Sequence, residues 1–189
     1  MLFRSPLLPP EVKTYIASGG TFSKIKVGES ITALLTTPTP NTNTGRKLFV
    51  WGYNTFGHLD VPLEVDANFY TNRYINNVND FDFHSGHIAV IMDNGKLYSW
   101  GCSQSSLWKS AGASVIKAID IGETFSIAAV ERYNSADSLT PIVAIEQYGD
   151  FDGVVPAGLT LAAPTEAWTA AQAGLPIYAG KVLACGVEH

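Results

Sequence analysis

The chain reads as all-β, an array of about three repeats followed by a terminal strand fragment. Three observations predict this. The dipeptide Trp51-Gly52 recurs 49 positions later as Trp100-Gly101, and 48 further on as Tyr148-Gly149. A fixed period of this size marks a chain built from repeated β units. Each anchor is preceded by an apolar-rich run suited to a strand in a packed sheet: Leu48-Phe49-Val50, Leu97-Tyr98-Ser99 and Ile142-Val143-Ala144-Ile145. A second landmark stands upstream of each anchor. It is an apolar strand, a glycine, and then a bulky slot: Ile25-Lys26-Val27-Gly28 leading to Ile31, Phe81-Asp82-Phe83-His84 leading to His87 with His84 in place of the glycine, and Ile119-Asp120-Ile121-Gly122 leading to Phe125.

Residues 1–20 read as an arm. Pro6, Pro9 and Pro10 remove backbone donors and favour extended chain, yet Leu2, Phe3, Leu7, Leu8 and Tyr15 give it more apolar surface than a solvated tail carries. These residues are candidate partner contacts, lying extended across a neighbour. The repeat domain then spans 21–189. Its first repeat covers about 21–66 and contains a Pro-, Asn- and Thr-rich connection over 36–45. After its anchor, Gly57 marks a turn that leads to Pro62. The second repeat covers about 67–114, with Asp93-Asn94-Gly95 as a hairpin turn. The third covers about 115–160 and carries an insert near 131–140. The Ala-rich stretch that follows predicts a short helix over 165–173, stopped by Gly174 and Pro176. A fragment over 181–189 begins the landmark a fourth time, with Gly186 at the glycine position, and stops at His189.

The slot holds Ile31, His87, Phe125 and His189 in turn, and one position filled by such different chemistry is a packing position. Gly28, Gly122 and Gly186 suit a close backbone approach beside it. Together with Trp51, Gly52, Gly57, His87, Trp100, Gly101, Tyr148 and Gly149, they form the structural signature of the repeats. This pattern resembles the repeats of the regulator of chromosome condensation family. The nearest match runs from Ser85-Gly86-His87-Ile88-Ala89-Val90 through Asp93-Asn94-Gly95-Lys96 to Leu97-Tyr98-Ser99-Trp100-Gly101. The segment Val155-Pro156-Ala157-Gly158-Leu159-Thr160 is similar to the linkers of bacterial and phage members. The resemblance implies a partial or small β-propeller-like array. It leaves function open, because such repeats serve as exchange factors, scaffolds, adhesins and virion parts. Propellers close with about 4–8 blades, so either the fragment and the first repeat combine into one composite blade, or the array stays open with edges that the arm, another copy or a different protein covers.

Composition narrows the function. Apolar residues make up 46% and charged residues 15% of 189 residues, which excludes a disordered chain or a coiled coil. A net charge of −5 with only 12 Lys and Arg provides no footprint for nucleic acid. No apolar run approaches the roughly 20 residues of a spanning helix, so no membrane insertion is expected. Cys102 and Cys185 read as free thiols rather than a disulfide framework.

Catalytic patterns are lacking: there is no nucleophile elbow, phosphate loop or dinucleotide fingerprint. His84 and His87 tempt a metal reading, but one strand sends positions three apart to opposite faces, and no third ligand stands near in sequence. Asp150-Phe151-Asp152-Gly153 lacks the later carboxylates of a calcium loop. Trp108 and Trp168 fall outside the anchors and are candidate interface residues, since Trp is enriched at binding hot spots; ordinary burial competes with that reading. The expectation is a protein that is not an enzyme and takes no cofactor or metal. It is expected to act structurally in a bacteriophage virion, as a capsid decoration, head fibre or tail-associated protein. Its expected partners are other virion proteins or copies of itself. An exchange factor for a small GTPase or a chromatin-binding propeller is the alternative, disfavoured by the repeat count and the missing basic patch. An adhesin or glycan-binding module is the third reading.

Overall fold

Alternation along the first strand sets the architecture. Lys24 and Lys26 are half-buried while Ile25 and Val27 are exposed, so over these residues the strand turns one face toward the second sheet and one to solvent. The computed structural model describes residues 8–38, 45–55, 57–84, 87–101, 115–122, 125–134, 137–149 and 165–169. Strands β1 (Phe22–Val27), β2 (Ile31–Thr36), β3 (Leu48–Gly52) and β4 (Tyr74–Ile75) form a first antiparallel sheet in that order. Strands β5 (Val78–His84), β6 (His87–Met92) and β7 (Leu97–Gly101) form a second. Strands β8 (Val115–Ile121), β9 (Phe125–Asn134), β10 (Asp137–Gly149) and β11 (Thr165–Thr169) form a third, in the order β11-β10-β9-β8. With two short helices among the described residues, α1 (Pro10–Ala17) and α2 (Phe69–Asn72), the chain is all-β. Among the described residues no sheet closes on itself.

The three sheets share one register. The slot residues each stand opposite the glycine of an anchor: Ile31 opposite Gly52, His87 opposite Gly101 and Phe125 opposite Gly149. The first strands align in the same way, with Ile25 opposite Leu34, Phe81 opposite Val90 and Ile119 opposite Ala128. The glycine in the two Trp-Gly pairs has a backbone cause. Gly52 lies at φ 140° and Gly101 at φ 125°, a region that side chains rarely adopt. A Cβ on Gly52 would sit 2.1 Å from the Ser30 carbonyl oxygen and 2.9 Å from the Ile31 Cα, both backbone atoms that cannot swing away. Gly52→Ala is therefore expected to lower the unfolding free energy by at least about 2 kcal/mol in denaturant titrations.

Two cores join the sheets. The first gathers Ala33, Leu35 and Val50 of the first sheet with Phe81, Phe83 and Val90 of the second. The other gathers Ala89, Ile91 and Leu97 of the second sheet with Ile116, Ile119 and Val130 of the third. Strand β6 serves both: Ile88, Val90 and Met92 enter one core, Ala89 and Ile91 the other. Burial on both faces is why this strand reads as an unbroken apolar run rather than alternating. The Asp93-Asn94-Gly95 turn joins β6 to β7, with Gly95 at φ 78° and its N–H donating to the Met92 carbonyl.

Two expectations are corrected. Residues 10–17 are helical, where the prolines predict extended chain. Pro10 occupies the first helical position, where a missing N–H costs nothing and a fixed φ favours the helix. The helix ends at Ser18 and Gly19, the latter at φ 83°. Val12 of α1 is fully buried with Leu34 and Phe49, so this part of the arm docks on its own first sheet. Secondly, Thr165–Thr169 is strand β11 rather than helix, paired to the open edge of β10. Edge pairing overrides the weak helix preference of a few alanines. The expected insert near 131–140 contributes to the long β9–β10 pair, with Ile142 opposite Arg132 and Asp137 opposite Asn134. The first sheet also takes its fourth strand, β4, from residues that the sequence period assigns to the second repeat.

Candidate functional site

Strands β1, β5 and β8 line a cleft of about 510 Å3 bordered by Ser23, Lys24, Arg46, Asp80, Asp82 and Asp120. Two lysines of β1 cross to two buried aspartates of β5. Lys24 Nζ lies 3.0 Å from Asp80 Oδ1 and 4.9 Å from the centre of the Phe81 ring. Lys26 Nζ bonds Asp82 Oδ1 and lies 5.3 Å from the Phe83 ring centre. The second oxygen of Asp82 accepts the Ile121 N–H of β8 at 2.7 Å. Asp82 thus ties all three sheets together. Burial raises its pKa above the ordinary carboxylate value, and the Asp120 charge adds to this. Hydrogen bonding and charge from Lys26, with the Ile121 N–H, oppose it. The sign follows: burying this carboxylate costs stability at neutral pH, and the cost fades as pH falls through its folded pKa. Paired charges of this kind position sheets.

A histidine group lies at the junction of the first two sheets. The loop after β3 is held by Asn54, whose side chain accepts the Leu59 N–H and donates to Asp60. This places the His58 carbonyl 2.8 Å from Trp100 Nε1 of β7. The His58 side chain is fully buried. His84 and His87 stand directly opposite each other on β5 and β6, which corrects the expectation of opposite faces on one strand; cross-strand partners share a face. His58 is held below its ordinary pKa by burial, with the His84 carbonyl pulling the other way. His87 is lowered by burial and then by the charge of His58. Among the described residues no group of three or more His, Cys, Asp or Glu is arranged to hold a metal ion.

Both histidines therefore favour the neutral form in the fold. Their contribution to stability is complete above about pH 6.5 and lost as pH falls below it. His87→Phe is expected to keep the fold and flatten this acid dependence, because His87 Nδ1 is buried with no hydrogen-bond partner among the described residues and the equivalent slots hold Ile31 and Phe125. His87→Asp is expected to unfold at markedly lower temperature, since it buries an unpaired charge. Thermal melts across pH compare the two.

The outer face of the first sheet differs from its counterparts. Six and four positions before each slot stand Ile25 and Val27, Phe81 and Phe83, and Ile119 and Ile121. Phe81 and Phe83 are 0% and 1% exposed, and Ile119 and Ile121 are 4% and 3% exposed, each covered by the preceding sheet. Ile25 and Val27 are 66% and 67% exposed. On this face α1 covers Leu34 and Phe49 among the described residues, with the Tyr15 ring tilted against Phe49 at 5.6 Å and Phe22 at 5.4 Å.

The sequence candidates divide accordingly. Gly28 lies under the Phe83 ring, where a Cβ would come 2.8 Å from Cε2. Trp100 is buried between sheets, whereas Trp51 is half-buried on the outer face beside α1. Gly57, at φ 75°, turns the loop that carries His58, and Gly122 follows β8 in a buried position. Tyr148 and Gly149 end β10 opposite Ser126 and Phe125. Of the arm candidates, Tyr15 is engaged within the chain and Leu8 is exposed, while Leu2, Phe3 and Leu7 lie outside the described residues. Trp168 stands opposite Ile145 on β11; Trp108, Gly186 and both cysteines lie outside the described residues. Sequence reading missed His58, Lys24, Lys26, Asp80 and Asp82, and it did not single out Ile25 and Val27. Among the described residues no helix is long and apolar enough to cross a membrane. No family model matches the chain, and no curated protein is found similar to it.

Proposed function

We propose that this chain is a non-enzymatic structural protein built from propeller-type repeats, which acts by joining protein partners in a larger assembly. The observation that carries the reading is the contrast at one repeated position: Phe81, Phe83, Ile119 and Ile121 are buried under a preceding sheet, and Ile25 and Val27 are open. The shared register of slot and anchor in three sheets supports treating those positions as equivalent. Paired charges in the cleft support a structural rather than a catalytic role. The assembly we assign is a bacteriophage virion, with this chain as a decoration, head-fibre or tail-associated protein. That assignment draws on the resemblance of Val155–Thr160 to phage linkers.

Sedimentation of the purified protein, alone and mixed with its native assembly, tests the role. Wild type is expected to join the assembly, and Ile25→Asp/Val27→Asp to stay folded but fail to join. A wild-type chain that remains a free monomer and binds nothing there overturns the proposal.

A further inference from the structure

We propose that residues 57–65 are an acid-released latch: a proton taken up by the histidines at its seat frees the segment while the three sheets stay stacked. The proposal goes beyond the structural role and does not depend on it. Three of the chain's 4 histidines meet at one place. His84 and His87 stand opposite each other at the ends of β5 and β6, and His87 stands opposite Gly101 of β7. The Gly57 turn lies against that same Gly101, where a Cβ on Gly57 would come 3.9 Å from its Cα. His58 follows with its side chain fully buried. Its ring is within reach of the His84 carbonyl, and its charge acts on His87.

The segment is built to leave. It belongs to no strand. Its backbone bonds are short-range: the Leu59 N–H donates to Asn54 Oδ1 at 2.8 Å, the Asp60 N–H to the Gly57 carbonyl at 3.1 Å and the Val65 N–H to the Pro62 carbonyl at 2.9 Å. It is fastened to the sheets by Trp100 Nε1–H on the His58 carbonyl, and by Val61 and Val65 in the first core. Asn54 anchors one end. Asp66, which accepts both the backbone and the side-chain N–H of Asn76 at 2.9 Å, anchors the other. Segments with few sheet bonds open at a free energy below that of global unfolding. The first core keeps Ala33, Leu35, Val50, Phe81, Phe83 and Val90 when this one opens.

The closed position tolerates a proton poorly. A buried charge is costly without a partner of opposite sign, and here one imidazole meets another. The carboxylates nearby are engaged elsewhere: Asp60 takes the Asn54 amide, and Asp82, two residues before His84 on β5, takes Lys26 and the Ile121 N–H. Glu64 of the segment itself is exposed, and β7 brings only uncharged side chains, Leu97 to Trp100. Opening moves His58 toward water, where it takes up the proton that the closed form resists. The balance therefore moves toward the open form as pH falls below about 6.5. Asp82 has the opposite sign. Burial raises its pKa, so the fold holds that proton more readily than the unfolded chain, and acid does not loosen the junction of the three sheets.

Hydrogen exchange of the full chain, read as protection factors that remove the intrinsic pH dependence of exchange, tests the latch. The amides of Leu59, Asp60 and Val65 are expected to lose about tenfold in protection between about pH 7.5 and about pH 5, as one proton enters the open form. Those of Ile88–Met92 in β6 are expected to keep theirs, and neutralisation to restore the segment. His58→Gln, which does not titrate in this range, is expected to hold the segment's protection constant. His87→Phe is expected to weaken the acid response by removing the facing imidazole. Equal protection of the segment at both pH values, or a loss in β6 that matches the segment's, overturns the proposal. So does a His58→Gln chain that keeps the full acid response. The wild-type comparison decides without either variant.

Discussion

Asp82→Ala is expected to lower the unfolding free energy by about 3 kcal/mol, the lower end of what removal of one member of a buried ion pair costs. The variant strips the partner from Lys26 and leaves the Ile121 N–H without its acceptor at the junction of three sheets. Lys26 retains 31% exposure of its side chain and turns to water, which keeps the cost from the upper end. Asp82→Asn preserves an acceptor for Ile121 and loses only a charge whose burial is itself costly at neutral pH, so it is expected to cost much less than Asp82→Ala. Urea titration of both variants measures the difference. Equal and small effects would mean that the aspartate does not hold the sheets together.

Val12→Asp is expected to lower stability by about 3 kcal/mol and Val12→Ala by about 1, because a fully buried valine contributes roughly 1.5–3 kcal/mol and an unpaired carboxylate adds a desolvation cost. The loss is bounded by the docking energy of α1, since the helix can leave while the sheets keep their own cores. Denaturant titration with Trp fluorescence follows this, as Trp51 packs beside α1. Unchanged stability in both variants would place the helix off the sheet. Removal of residues 1–17 is accordingly expected to uncover Leu34 and Phe49, rather than leave the first sheet untouched as an extended arm would.

What sequence reveals here is what repeats locally. The Trp-Gly spacing located the ends of β3 and β7, Tyr-Gly the end of β10, and the slot residues fell opposite the anchor glycines. The α1 helix was hidden because three prolines point to extended chain in general, and only their placement, with Pro10 at the first helical position, favours a helix. Strand β11 was hidden because its conformation is set by the β10 edge. The ion pairs of Lys24 and Lys26 span 56 positions in sequence, a separation at which no local pattern speaks. His58 follows the first anchor in a turn, a position to which the period assigns no packing role. The open face was invisible for a different reason. Ile25, Phe81 and Ile119 are all apolar at one aligned position, and burial by a preceding sheet is a property of the stack rather than of the residue.

Hydrogen exchange of the β1 amides, Phe22–Val27, in the free protein and in its native assembly tests the central claim most directly. Among the described residues strand β1 is the edge of its sheet, paired to β2 alone, and it carries the two exposed side chains on which the account depends. The account predicts that β1 gains protection on assembly. Unchanged exchange in β1 while the protein is incorporated would contradict it and place the contact elsewhere on the chain.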